Sequence, residues 1–178
     1  MKIICFGDSN TWGFDPREPL GSRYEKPWPV MLSEKINVTV VNSGENGREI
    51  PVNPVAFSDD ADLLVIMLGT NDLLQFWTPE MAADKMEKFL RSINGKQILL
   101  VAPPYMKFGA WVQEQELIDD SKALATYYRS LAQRLGIRFA DAGKWNVQLA
   151  FDGVHMTQEG HRAFAECLCN YLVKENII

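Results

Sequence analysis

Four short apolar runs punctuate the chain, at Ile3–Phe6, Val38–Val41, Leu63–Leu68 and Ile98–Val101, with a weaker fifth at Ile137–Ala140. Several are near-continuous rather than alternating, which is the pattern of parallel strands buried on both faces. Between them apolar positions recur at helical spacing. Val30, Met31, Leu32 and Ile36 predict a short helix. Thr78-Pro79-Glu80 predicts a helix start, a capping hydroxyl followed by proline in the first turn. Met81, Lys85, Met86, Phe89, Leu90 and Ile93 then follow in mostly apolar three- and four-residue steps, and Gly95 ends the run. A long helix is expected from about Trp111 to Leu135, with Leu117, Leu124, Tyr127, Tyr128, Leu131 and Leu135 on its apolar side and Gly136 as its stop. Thr157 is placed to cap a last helix carrying Phe164, Leu168, Tyr171 and Leu172.

Alternating strands and helices of this kind imply an α/β fold, a parallel sheet covered on both sides. Five strands give a three-layer α/β/α sandwich of flavodoxin-like order. A chain of 178 residues accommodates this as one domain, residues 1–178, and it carries no internal repeat, low-complexity tract or linker. The longest expected loops are Gly13–Pro29, Ser43–Ala61, Pro103–Trp111 and Asp141–Met156. In such sheets ligands bind beyond the carboxyl ends of the strands, near the topological switch point. Four polar segments are therefore expected to converge on one edge. They are Gly7-Asp8-Ser9-Asn10, Asn42-Ser43-Gly44-Glu45-Asn46-Gly47-Arg48, Gly69-Thr70-Asn71-Asp72 and Asp152-Gly153-Val154-His155.

Charge narrows the partners. The chain has 18 Lys+Arg against 23 Asp+Glu, a net charge of −5, and no basic run, which argues against nucleic acid. No stretch is apolar for long enough to span a bilayer. The first apolar run ends too soon for a signal peptide. The three cysteines form no Cys-x-x-Cys pair. A cytoplasmic protein with reduced thiols is expected.

A serine nucleophile at neutral pH needs a base, and the chain has two histidines, His155 and His161. Asp152 lies three residues before His155. That spacing lets a carboxylate reach one imidazole nitrogen and leaves the other free to take a hydroxyl proton. His161 falls inside the last helix and reads as a partly exposed helical residue. Ser9 directly follows a buried strand and is the serine to pair with His155. Asn71, Gly47 and Ser9 itself offer N–H donors for a developing oxyanion. Taken singly, Ser9 also reads as a cap or turn serine, Asn71 as a turn residue and Gly47 as a positive-φ turn.

Taken together, Gly7-Asp8-Ser9, Gly47, Gly69-Thr70-Asn71-Asp72 and Asp152-Gly153-Val154-His155 resemble the four signature blocks of the SGNH (GDSL) hydrolases, in the family's order and across nearly the whole chain. The resemblance implies a serine esterase with Ser9 as nucleophile, His155 as base and Asp152 orienting it. It also implies an oxyanion hole of the Ser9 and Gly47 N–H groups and the Asn71 amide, and no cofactor or metal. Gly44 shares the second block, and Gly47 is preferred because in relatives the donor precedes an Arg- or Asp-type position, here Arg48. Asp8 and Asp72 are expected to be structural, bonding loop N–H groups. The α/β-hydrolase elbow, Gly-x-Ser-x-Gly, is excluded by Thr11. Cys5–Gly13, Val65–Asp72, Ala102-Pro103-Pro104 and Phe139–Gly143 are similar to bacterial arylesterase/acyltransferase members.

Aromatic residues near the blocks are candidate walls for a short acyl or aryl group: Trp12 and Phe14, Phe76 and Trp77, and Tyr105, Phe108 and Trp111. Arg48 reads either as a contact for a polar substrate or as an exposed loop arginine. The expected partner is a small-molecule ester, with a homo-oligomer left open. Two alternatives use the same machinery, a carbohydrate O-acetyl esterase and a lysophospholipase or thioesterase. A flavodoxin-like phosphate-binding module is disfavoured by the lack of Gly-x-Gly-x-x-Gly and of a phosphate-loop lysine.

Overall fold

The computed structural model describes residues 1–18 and 21–178. Its main sheet has five parallel strands: β1 (Lys2–Gly7), β4 (Thr39–Gly44), β5 (Leu63–Met67), β6 (Gln97–Ala102) and β7 (Arg138–Asp141). They lie in the order β4-β1-β5-β6-β7. The chain passes from β1 to one side, then returns past it to β5, so the switch point lies at β1. This is the flavodoxin-like arrangement. A two-stranded antiparallel hairpin, β2 (Phe14–Asp15) with β3 (Ser22–Arg23), fills part of the expected first loop.

The sheet has an apolar layer on each face because successive strand residues point to opposite sides. Ile4, Phe6, Leu64, Ile66 and Leu100 face α4 (Pro79–Arg91) and α5 (Gln115–Leu135), meeting Met86, Phe89, Leu124, Tyr128 and Leu131. Ile3, Cys5, Leu63, Val65, Leu99 and Val101 face α2 (Trp28–Lys35) and α6 (Gln158–Lys174), meeting Trp28, Leu32, Phe164 and Leu168. Central β5 is buried along its whole length, which explains its unbroken apolar run. Each large side chain so buried contributes roughly 1.5–3 kcal/mol of transfer free energy.

Helix ends follow local chemistry. Thr78 accepts a hydrogen bond from the Met81 N–H, and Thr157 from the Gly160 N–H, so both expected caps are present. Three features depart from the pattern. β4 runs on through Asn42, Ser43 and Gly44, polar residues that an edge strand tolerates. α5 begins at Gln115 rather than Trp111, because residues 109–111 bond instead to Val112, Phe151 and Asp152. Tyr127 is exposed, since Tyr128 takes the inward position of that turn. No helix of the described residues is long and apolar enough to cross a membrane.

Candidate active site

The strand register brings the carboxyl ends of β4, β1 and β5 level: Gly7 stands beside Gly44 on one side and Met67 on the other. The polar segments that follow these strands therefore meet at one rim. Ser9 opens α1 (Ser9–Trp12), and Asp8 caps it, its Oδ1 accepting the Asn10 N–H at 2.9 Å. Asp8 is fully buried, and burial pushes its carboxyl up to about 6 against the lowering effect of that bond.

The second segment is tied down on both sides. Asn42 Nδ2 donates to the Thr11 carbonyl at 2.9 Å, and the Gly44 N–H donates to Asn42 Oδ1 at 2.9 Å. Gly44 lies so close under α1 that a Cβ there would sit 2.1 Å from the Trp12 nitrogen. Gly47 differs: its φ is +73°, and a Cβ would meet nothing within 4 Å. The Gly44 N–H is thus spent, while Gly47 faces open space.

Arg48 is held in place by the fold rather than being an exposed loop arginine. Its guanidinium donates to the carbonyls of Gly7, at 2.9 Å, and Ser43, pairs with Glu45 at 2.7 Å, and lies 4.2 Å over the Phe6 ring. Gly7 and Phe6 of β1, about forty positions away in sequence, join the nearby Ser43 and Glu45 in holding it against the sheet. It anchors the Gly47 turn to the strand that carries Ser9.

The third segment forms α3 (Thr70–Leu74). Asn71 Nδ2 donates one hydrogen to the Arg48 carbonyl at 3.0 Å, which leaves its second hydrogen available. Asp72 accepts the Ile50 N–H at 3.0 Å and pairs with Lys85 at 2.8 Å. Asp72 thus bonds a loop N–H group, whereas Asp8 bonds one in the first turn of α1. Asn71 and Asp72 together fix residues 48–50, and through them Gly47.

The fourth segment is a tight turn closed by a bridge between Leu149 and Met156. The Ala150 N–H donates to the His155 carbonyl at 2.7 Å. The β6–α5 connection straps the turn from outside, with Lys107 N–H on the Gly153 carbonyl and Trp111 N–H on the Asp152 carbonyl, each at 3.0 Å. Asp152 Oδ1 accepts the Val154 and His155 N–H groups, both at 2.9 Å, and Oδ2 faces His155 Nδ1 at 2.6 Å. Burial alone would raise the Asp152 carboxyl, but these bonds outweigh it and hold it below the ordinary value. On the far side of the ring, His155 Nε2 lies 2.9 Å from Ser9 Oγ. Hydroxyl, imidazole and carboxylate thus form one continuous hydrogen-bonded chain, nearly all of it buried.

A family pattern spans the segments that carry these residues. The GDSL-like Lipase/Acylhydrolase family matches residues 5–163, which is most of the chain. The chain belongs to that family. It is a carboxylic ester hydrolase.

Solved structures of similar shape are consistent with this family. An aryl esterase of M. smegmatis superposes with a TM-score of 0.85 at 24% identity, covering 97% of this chain and 98% of that one. A carbohydrate acetylesterase family member from Sinorhizobium meliloti does so with a TM-score of 0.84 at 27% identity, covering 96% of each. A second carbohydrate acetylesterase from the same organism gives 0.83 at 22% identity, covering 97% and 98%. No curated protein matches the chain.

The aromatic candidates divide in this GDSL-family chain. Phe14 reaches the centre, its ring 4.6 Å from that of His155. Trp111 meets the same imidazole edge-on at 5.0 Å and is 53% exposed. Trp12 lies under the Arg23 guanidinium at 5.4 Å. The others serve different surroundings. Trp77 sits beneath Lys85, in a groove of about 440 Å³ shared with Glu49, Val52 and Met81. Phe76 is 93% exposed with φ at +66°. Tyr105 donates to Asp141 at 3.0 Å, and with Phe108 lines a cleft of about 460 Å³ whose walls include none of Ser9, Asp152 and His155.

His161 also departs from expectation. It is fully buried, its Nδ1 accepting the Trp28 N–H at 3.3 Å and its ring edge-on to Tyr24 at 5.3 Å. Burial drives its pKa down to about 3, so it is neutral. The residues that cover it come from the other end of the chain, which no local pattern reveals. Asn10, which the sequence places only in a converging polar segment, likewise finds its partners more than 140 positions away.

Proposed function

We propose that the chain hydrolyses short acyl or aryl carboxylic esters through an acyl-serine intermediate, with Ser9, His155 and Asp152 as the catalytic triad. The observation that carries this is the hydrogen-bonded chain from Ser9 Oγ to His155 Nε2 at 2.9 Å and from Nδ1 to Asp152 at 2.6 Å. Ser9 Oγ attacks the ester carbonyl as its proton passes to His155 Nε2. Asp152, hydrogen-bonded at Nδ1, stabilises the imidazolium. The oxyanion is held by the Ser9 N–H, the Gly47 N–H and the second Asn71 amide hydrogen. His155 returns its proton to the leaving alkoxide, and water repeats the cycle to release the acid. The open space at Gly47, against the spent N–H of Gly44, supports Gly47 as the donor. Phe14 and Trp111 flank the imidazole and supply apolar area for the alcohol or acyl group.

A second reading is favoured by the 27% identity to a carbohydrate acetylesterase family member: O-acetyl esters of sugars, cleaved by the same residues. Rates on aryl acetates, acetylated sugars and long-chain acyl esters, compared on one preparation, separate the two. Ser9→Ala tests the nucleophile. It is expected to abolish turnover of an aryl acetate, a loss on the order of a million-fold, with the thermal transition kept. Mass spectrometry after fluorophosphonate treatment is expected to find the adduct on Ser9. A loss of only tenfold, or an adduct elsewhere, refutes the assignment.

A further inference from the structure

We infer that Asn10 is a positioning residue for catalysis, holding the base His155 in line with the nucleophile Ser9 through a two-point clamp on the backbone. The inference rests on the triad reading above. Asn10 follows Ser9 directly in α1 and is almost fully buried. Both polar atoms of its carboxamide are used, and both bonds go to the segment that carries His155. Nδ2 donates to the Val154 carbonyl at 3.1 Å, and Oδ1 accepts the Met156 N–H at 2.8 Å.

These two backbone groups lie on either side of His155 in sequence. The carboxamide presents a donor and an acceptor in one plane, as a neighbouring peptide unit would in a β-ladder. The segment is gripped before and after the imidazole by the residue adjoining the nucleophile. Ser9 and Asn10 share the rigid turn capped by Asp8, so any shift of α1 carries both nucleophile and clamp. Asp152 sets the ring orientation from one side, and the backbone strap from residues 107–111 presses the turn from outside. Among the described residues, the two Asn10 side-chain bonds join this turn to α1 beside the Ser9–His155 contact itself.

The clamp acts on geometry alone, so its loss lowers the chemical step and leaves substrate binding intact. A misplacement of about 1 Å between reacting groups costs on the order of 100-fold in rate. Asn10→Leu keeps the volume but removes both bonds. Asn10→Asp keeps the shape and the acceptor for Met156, while turning an oxygen against the Val154 carbonyl.

The test measures kcat and KM for an aryl acetate in the full chain. Active sites are counted by end-point fluorophosphonate labelling of Ser9, and thermal unfolding is followed in parallel. Asn10→Leu is expected to lose about 10- to 100-fold in kcat per labelled site, with KM unchanged within about twofold. Asn10→Asp is expected to fall between it and the parent. A merely structural role would lower the number of labelled sites and leave kcat per site unaltered. If Asn10→Leu does not fold, Asn10→Asp decides alone. A kcat per site within about twofold of the parent in the folded variants overturns the inference. Ser9→Ala is run beside them: if it stays active, the triad reading itself has failed, and that outcome is separate from a failure of the clamp.

Discussion

Replacing Asp152 by asparagine reverses the direction of the proton chain while leaving its shape almost unaltered. Asp152 Oδ1 accepts two backbone N–H groups, from Val154 and His155, both at 2.9 Å. In the variant the amide oxygen must stay there, because turning the NH2 group toward those donors would forfeit both bonds at about 1–3 kcal/mol each. The NH2 group then occupies the place of Oδ2, 2.6 Å from His155 Nδ1 in the parent. A donor in that place makes Nδ1 an acceptor and moves the ring proton to Nε2. Nε2, 2.9 Å from Ser9 Oγ, now donates to the hydroxyl instead of accepting its proton. The base is lost with every atom nearly in place. The expected loss is about 10⁴-fold in kcat, the size seen when a triad carboxylate becomes an amide, equivalent to about 5 kcal/mol of barrier. The assay is aryl-acetate hydrolysis at neutral pH, with thermal unfolding as control. A loss below tenfold in a folded variant refutes the claim that Asp152 sets the tautomer.

Further outcomes follow from the same geometry. Asn71→Ala removes one oxyanion donor and is expected to cost about 100- to 1000-fold in kcat, seen by steady-state kinetics; a loss under fivefold would remove Asn71 from the oxyanion hole. Gly47→Ala has room for its Cβ and costs the ~1–2 kcal/mol of a left-handed backbone, keeping most activity because the N–H remains. Gly44→Ala places a Cβ 2.1 Å from the Trp12 nitrogen and is expected to be the more damaging in both urea unfolding and kinetics. The reverse ranking would refute the assignment of Gly47. Asp8, raised to about 6 by burial, makes stability depend on pH. Its protonated form is favoured by the fold, so that contribution is complete below about pH 4 and drains away as pH rises through 6, by up to about 3 kcal/mol. Asp8→Asn is expected to gain on the parent across that window in urea midpoints, and a pH-independent difference would refute it. Asp152, held low, works in the opposite sense: its contribution is present above about pH 4 and is lost as pH falls further.

The five strands and four main helices were legible in the chain because each satisfies a local rule. A strand buried on both faces must be apolar throughout, as Leu63–Met67 is, and capping acceptors mark the starts of two helices at Thr78 and Thr157. The candidate chemistry was legible too, because few residue types can act as nucleophile, base and orienting acid, and the chain has only two histidines, one of them three residues after an aspartate. Elements shaped by distant partners were not. The end of β4 is polar and persists only as the edge partner of β1. The 103–114 connection avoids helix because it straps the turn bearing Asp152. Arg48, His161 and Asn10 take their surroundings from residues far along the chain. Short-range pattern, then, determined which segments would be strand or helix and which residues could carry chemistry. Tertiary structure alone decided which hydrogens are spent and which remain free, since that depends on distances between segments that only folding brings together.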